Sequence, residues 1–365
     1  MTENTLESVL SGVRVLEIGG GVAAAFAAHF LAGYGADVVR SEGPEDALTH
    51  DEAIYLCAGK RRIVAAGPEL RQLALAADII VEDGKPGTLA AMGLDPNGLR
   101  AEKPALVIVS ITAFGQDGPY AGFEATNIVS FAMGGLMSLT GSPDREPLLT
   151  GGNQAQYLGG MNGFGASVTA YYGALMQGEG DWVDISLQEC AAGMLELYGP
   201  GSASTGAGAQ MRMGNSVRAV WAIYPCADGY AGVCALERQV HALFDLLGDP
   251  MLNEERFRDP FQRAENDDEL QAILYAWFAQ RTRAEILALS PIHKVPFGAV
   301  LTPSDLLASK NLQARGFFDS VTTPEGVARM PGRPFEGFLW TMGALHAPGM
   351  DTEAVRRDWI AGVPA

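Results

Sequence analysis

Cysteine is scarce. Cys57, Cys190, Cys226 and Cys234 are the four in 365 residues, with neither the spacing of a metal clip nor the density of a disulfide framework. Reduced thiols and a cytoplasmic location are the expectation. Cations are also few, 25 Lys and Arg against 43 Asp and Glu, for a formal charge of -18. That balance excludes a general nucleic-acid surface or an anionic-membrane surface, both of which need a positive face. It leaves room for one cationic pocket that takes a small anion. No basic segment leads into a signal core, and no apolar run reads as a membrane span, since the glycine-rich stretch 159–175 is broken by Gly and Tyr. H-E-x-x-H, a nucleophile elbow and a P-loop are all missing, as is any internal repeat. No metal site is expected.

What remains is apolar and turn-rich: 48% hydrophobic and 19% charged residues, with 45 Gly and 20 Pro. This describes a compact protein with many tight turns, long enough for two domains. The organising stretch is Leu10 to Glu42, LSGVRVLEIGGGVAAAFAAHFLAGYGADVVRSE. Val13 to Ile18 reads as a buried strand, Gly19 to Gly21 as a tight turn, Val22 to Gly33 as a helix and Asp37 to Ser41 as a second strand. A β-α-β unit of this kind nucleates a parallel sheet. Further strands are expected at 78–82 and 105–110, and helices at 68–77, 127–140 and 160–176. A strand at 182–187 then precedes a helix over 189–197. A Gly/Ser/Ala linker at 199–210 opens a second region, with a hairpin about Asp228–Gly229 and helices near 237–247, 267–279 and 282–289.

Several residues invite a chemical reading. A helix start after three glycines can receive a phosphate, but Gly19–Gly21 are not followed by the spacing of a dinucleotide fingerprint, because position 24 is Ala. Arg40, at the end of the second strand, suits an anionic phosphate; pairing with Glu42 is its structural alternative. Lys60, Arg61 and Arg62 form the densest positive patch, read either as a phosphate receiver or as solvent-facing charge. The loop 111–122, carrying Asp117 and Tyr120, lies at a strand's carboxyl end, where open α/β sheets bind ligands. His29, in an apolar helix, reads as structural. Asp181, Asp184, Glu189 and Glu196 supply carboxylates, yet Glu189 and Glu196 fall two helical turns apart, about 10 Å, too far to share a proton. Spacing alone defines no catalytic residue.

The ordered segments GVRVLE…GADVVRSE, AADIIVEDGKPG…MGLD, LVIVSITAFGQDGPYAG, GALMQGEGDWVDISLQE and YPCADG…VPFGAVLTPSDLL…ARGFF resemble the family III CoA-transferases, which also include acyl-CoA racemases, from about residue 10 to 350. The resemblance implies an α/β fold with a Rossmann-like large domain at 1–198 and a smaller α+β domain at 199–300. It also implies a segment, 301–365, that returns to complete the large domain, and two subunits interlocked like chain links. The family reaction uses an Asp carboxylate as nucleophile, through mixed-anhydride and aspartyl-CoA thioester intermediates. That Asp stands at the start of the helix preceding the GDWVD stretch, and counting back from Ala174–Leu175 places it at Gly160. The racemase Asp falls there too, and the racemase His near Phe123. The resemblance therefore implies no catalytic residue in this chain.

Val22, Ala23, Arg40 and Lys85 are the positions it implies for holding coenzyme A. Asp83 and Ala91 replace the family's Asn and a phosphate-binding Arg. A CoA thioester is the implied substrate or ligand, with no cofactor bound covalently. The implied partner is a second copy or an Asp-containing homologous subunit. Three functional readings follow: a nucleophile-deficient subunit of a heteromeric CoA-transferase, an enzyme repurposed to work without an aspartyl intermediate, and a noncatalytic interaction or ligand-binding protein.

Overall fold

The computed structural model describes residues 8–43, 48–195, 212–214, 216–218 and 220–361. The chain divides into two compact units: Met1–Met137, Leu149–Ala209 and Asn311–Ala365 make the larger, and Ser138–Leu148 with Gln210–Lys310 the smaller. The short excursion 138–148 and residues 301–310 thus group with the smaller unit, whereas the sequence reading assigns them elsewhere. The linker expected at 199–210 lies outside the described residues.

The larger unit is an α/β fold on a six-stranded sheet. In chain order it contains β1 (Arg14–Ile18), α1 (Val22–Gly33), β2 (Asp37–Ser41), α2 (His50–Cys57), β3 (Arg61–Ile63), α3 (Gly67–Ala76) and β4 (Ile79–Glu82). There follow α4 (Thr88–Ala91), α5 (Pro96–Glu102), β5 (Val107–Thr112), α6 (Asn127–Met133), α7 (Gln154–Gln177), β6 (Trp182–Ser186) and α8 (Leu187–Ala192). The strands lie in the order β3-β2-β1-β4-β5-β6, and all the pairings are parallel. This is the doubly wound order, whose ligand crevice lies at the carboxyl ends of β1 and β4, where the winding reverses.

Near-continuous branched runs form these strands because both faces are covered. Val15, Val38, Val81 and Val109 face a core shared with α1 and α7. Leu16, Val39, Ile80 and Ile108 face the opposite core, which Leu70, Leu73, Leu99, Val355 and Trp359 complete. The tail is therefore integral to this unit: Trp359 is fully buried and its indole N–H donates to Asp37 at 2.8 Å. The hairpin β11 (Phe318–Thr323) and β12 (Gly326–Pro331) also belongs here, and is read from the sequence only as a returning tail.

The smaller unit carries an antiparallel sheet in the order β10-β9-β8-β7, made of β7 (Ser216–Arg218), β8 (Trp221–Cys226), β9 (Gly229–Cys234) and β10 (Phe297–Ala299). Tyr224, Ala231 and Val233 face a core filled by Leu243, Phe278 and Ile286. The hairpin about Asp228–Gly229 forms as expected, with Cys226 opposite Gly229.

Candidate active site at the carboxyl edge of the sheet

The crevice at the reversal point is closed by the chain itself. Asp83, one residue beyond β4, places its carboxylate at the start of α1. Its two oxygens accept from the Gly21 N–H at 3.2 Å and the Ala24 N–H at 3.0 Å. Asp83 thereby takes helix-start donors of the kind a ligand phosphate uses. The glycines make this possible. A Cβ at Gly19 would stand 2.3 Å from one Asp83 oxygen, and a Cβ at Gly21 would stand 2.4 Å from the other. Gly19 also has φ +118, a conformation that favours glycine. The triglycine turn, open in sequence to a phosphate reading, cradles an internal carboxylate. Removal from water pushes the Asp83 carboxyl up against the pull of the two N–H donors. Val22 and Ala23, at the first two helical positions, lie between the donors that Asp83 takes and have buried side chains.

Arg40, Lys60 and Arg62 are buried as well, and Arg61 is partly exposed beside Asp37 and Asp358. β1, β2 and β3 align Glu17 with Arg40, and Arg40 with Arg62. Glu17, Arg40 and Lys60 are at most 1% exposed. Arg40 and Lys60 both bond the Glu17 carboxylate, Lys60 at 2.6 Å, and Lys60 also donates to the Ala25 carbonyl at 2.8 Å. Glu42 lies between Arg40 and Arg62. Burial works to raise the Glu17 carboxyl, but the Lys60 and Arg40 charges prevail and hold it below its ordinary range. Lys60 and Arg62 are therefore neither solvent-facing charge nor open phosphate receivers, and Arg61 and Arg62 lie in β3 rather than in a turn. Of the four residues expected to hold CoA, Lys85 is the one with a reachable cation, 72% exposed beside Glu124.

The helix on which the family resemblance places a nucleophilic carboxylate has no carboxylate. α7 begins at Gln154, six residues before Gly160, and has no acidic residue from Gln154 to Gln177. Gly160 is buried against α1, where a Cβ would come within 2.7 Å of the Ala23 carbonyl oxygen and 2.9 Å of Phe26 Cβ. Gly163 likewise meets Ile111. These glycines let α7 pack close to α1 and β5.

The start of α7 is held by residues that the sequence does not single out. Asn127 accepts from the Ala155 N–H at 2.9 Å and donates to the Gly152 carbonyl. Asn153 donates to Glu52 at 2.6 Å. Glu52 also caps α2, its other oxygen accepting from the backbone and hydroxyl of Thr49, each at 2.8 Å. The signal for it is Thr49-x-x-Glu52, a capping box. His29, between Tyr55 and Trp340, is fully buried; burial and the Lys60 charge push it down to about 3, so it is neutral.

Across β4, β5 and β6, Glu82, Ser110 and Asp184 stand in one row. Glu82 is 3% exposed and accepts from the Gly84 N–H at 2.7 Å. Ser110 contacts it too and accepts from the Trp182 indole at 3.0 Å. Burial pushes the Glu82 carboxyl up to about 7, outweighing these bonds, with Asp83 and Asp184 adding to the rise. A folded value above the unfolded one means that folding takes up a proton between them. The associated stability is full below about pH 4.5 and is lost as pH rises through about 7. Glu82→Gln is expected to remove about 3 kcal/mol of that pH dependence, which urea denaturation between pH 5 and 8 will read as a flatter curve.

Asp184 holds the loop by accepting from the Gln116 N–H at 2.8 Å. With Met161, Asn162, Ser186, Glu189 and Met194 it lines an open cleft of about 650 Å³. Asp181 caps nearby backbone, Tyr120 packs edge-on to Phe114 and tilted against Phe123, and Glu196 lies outside the described residues. Among the described residues, no cluster of three or more His, Cys, Asp or Glu could hold a metal, and no helix is long and apolar enough to cross a membrane.

A parallel sheet in doubly wound order, with a glycine turn and an internal carboxylate at its reversal point, defines a Rossmann-like α/β protein. Its family follows from comparison with known proteins: the chain belongs to CoA-transferase family III, whose profile matches residues 10–53 and 65–349. The chain is 30% identical over 352 residues to a succinate–glutarate CoA-transferase of Agrobacterium fabrum, covering 88% of this chain and 87% of that protein. It is 25% identical to a succinyl-CoA–L-malate CoA-transferase alpha subunit of Chloroflexus aurantiacus, covering 88% of this chain and 80% of that one. The crystal structure of a CAIB/BAIF family protein from Brucella suis superimposes with a TM-score of 0.87 at 28% identity, over 97% of this chain and all of the other.

Proposed function

We propose that this chain is a nucleophile-deficient subunit of a heteromeric CoA-transferase acting on acyl-CoA and carboxylate substrates. Its interlocked partner is a homologous chain that supplies the missing Asp. The observation that carries the reading is α7: 24 residues without one carboxylate, with no space for a side chain at Gly160. Acyl transfer through a covalent intermediate needs a nucleophile that later becomes a leaving group, and neither glycine nor glutamine amide serves. The Chloroflexus relative, named as an alpha subunit, is in keeping with a multi-subunit assembly. In this reading the thioester passes over Val22 and Ala23 and Lys85 meets its phosphates. Arg40 acts from below, fixing Glu17 and the strand ends. Co-purification from the native cell followed by intact-complex mass measurement tests this. A complex containing a homologue with Asp on its equivalent helix is expected; an assembly of only this 38.5 kDa chain would contradict it.

A second reading has one observation in its favour. Glu52 is a partly exposed carboxylate oriented by Asn153 at the mouth of α7. In a repurposed enzyme that works alone, Glu52 takes the role that α7 lacks.

A further inference from the structure

Glu82 is a buried carboxyl group that the proposed reaction leaves unused. It ends β4 at the reversal point, and its neighbours are uncharged or negative. Ile18 lies opposite it on β1 and Ser110 opposite it on β5, and α4 carries no charge. The charged groups acting on it are Asp83, the next residue, and Asp184, two strands away in the same row. Among the described residues no cation pairs with it: Arg40 and Lys60 bond Glu17, and Lys85 bonds Glu124. The segments outside the described residues contain no Lys, Arg or His.

What closes over Glu82 is the turn 83–88, DGKPGT. Its Gly84 N–H donates to Glu82 Oε2 at 2.7 Å. A Cβ at Gly84 would stand 3.2 Å from that oxygen and 2.9 Å from Thr88 Cβ, so the turn lies directly against the carboxyl. The same turn begins with Asp83, which points to the opposite side of the sheet and holds the Gly21 and Ala24 N–H groups of α1. One short segment therefore covers a buried carboxyl on one side and closes the crevice on the other.

We propose that the turn 83–88 is a lid held shut by a proton on Glu82. Without that proton, a charge with no cation beside it stands near Asp83 and Asp184. Water solvates it when the turn lifts, and the lift takes Asp83 from the α1 amides and opens the crevice. Burial pushes the Glu82 carboxyl up to about 7, so the closed lid belongs to the acid side and the open lid to the alkaline side. The sign follows from linkage: the closed form, where the carboxyl is dry, binds the proton more tightly than the open one.

Hydrogen–deuterium exchange of the full chain, read by peptide mass spectrometry at about pH 6 and about pH 8.5, tests the lid. Protection factors remove the intrinsic dependence of exchange on pH. Protection of residues 19–26 and 83–89 is expected to fall at least about tenfold, since each pH unit above the midpoint costs up to about tenfold. β5 is expected to remain at least about a hundredfold better protected than the lid at the higher pH, because a local opening costs less than global unfolding. Glu82→Gln, which has no proton to lose, is expected to keep both segments protected across the range. Should it not fold, Glu82→Met, likewise uncharged, takes its place. The readout needs no substrate, so it is independent of the CoA-transferase reading. Unchanged protection in the unaltered chain, or an equal fall in the folded variant, would overturn the proposal. So would equal protection of the lid and β5, which would make the event global unfolding.

Discussion

Arg40→Ala is expected to cost about 3–5 kcal/mol of folding stability, the usual penalty for breaking a buried ion pair by removing one partner. That is a large part of the 5–15 kcal/mol that holds typical domains folded. Arg40 is fully buried, bonded to an equally buried Glu17, and close to Glu42. Removing its guanidinium leaves Glu17 with Lys60 alone and takes one positive charge from a closed cluster. Denaturant unfolding measures the loss. Replacing Glu17, Arg40 and Lys60 together by apolar residues of similar volume is expected to recover much of it, since the carboxylate and both cations that bond it then leave together. The consequence for ligand work is practical: lost CoA binding in Arg40→Ala would report unfolding as readily as a missing contact. Lys85→Ala is the cleaner probe, because an exposed pair such as Lys85–Glu124 contributes little to stability.

Gly160→Asp is expected to destabilise the chain by about 3 kcal/mol or more without conferring transfer activity. Overpacking a closed site costs about 1–3 kcal/mol, and here the obstacle is backbone, the Ala23 carbonyl 2.7 Å from the new Cβ. The added carboxylate would also be driven into a buried helix contact, which penalises its charged form further. α1 and α7 must separate to admit it, displacing Phe26 and the aromatic cluster around it. Thermal unfolding and a transfer assay on the same preparation measure both halves. A stable Gly160→Asp protein with new activity would show that the α1–α7 contact is looser than this geometry.

The β1-α1-β2 unit was legible because its signals are local: a branched run, glycine punctuation, an alanine-rich helix and a second branched run. Val22–Gly33 and Asp37–Ser41 form as read. The helix Glu237–Leu247 likewise matches, its apolar residues recurring on one face toward Val240, Leu243 and Phe244. β3 was hidden because Lys60-Arg61-Arg62 looks like surface. Burial becomes tolerable there through Glu17, on another strand and 43 residues from Lys60, and through Glu42 beside Arg62, so no local pattern announces it. Asp83 was visible as a departure from the family pattern, but its capping of α1 depends on amides 59 and 62 residues away.

The candidate site divides in the same manner. The absence of a carboxylate on α7 could be read from letters alone. The helix start could not, and lies six residues earlier than the counted position, at Gln154. Asn127, Asn153 and Glu52 converge on that start from three separate segments, a meeting created by tertiary packing. Glu52 carried a local signal, the capping box, which describes its bonds to Thr49 but not its contact with Asn153.

The most direct measurement is hydroxylamine trapping followed by peptide mass spectrometry, applied to the purified chain with succinyl-CoA as acyl donor and repeated on the native complex. The account predicts no hydroxamate on the chain alone and a trapped Asp on the homologous partner in the complex. A hydroxamate at any carboxylate of the isolated chain would contradict it. If that label fell on Glu52 and vanished in Glu52→Gln, a substitution that keeps the Thr49 capping box, the chain would carry its own nucleophile.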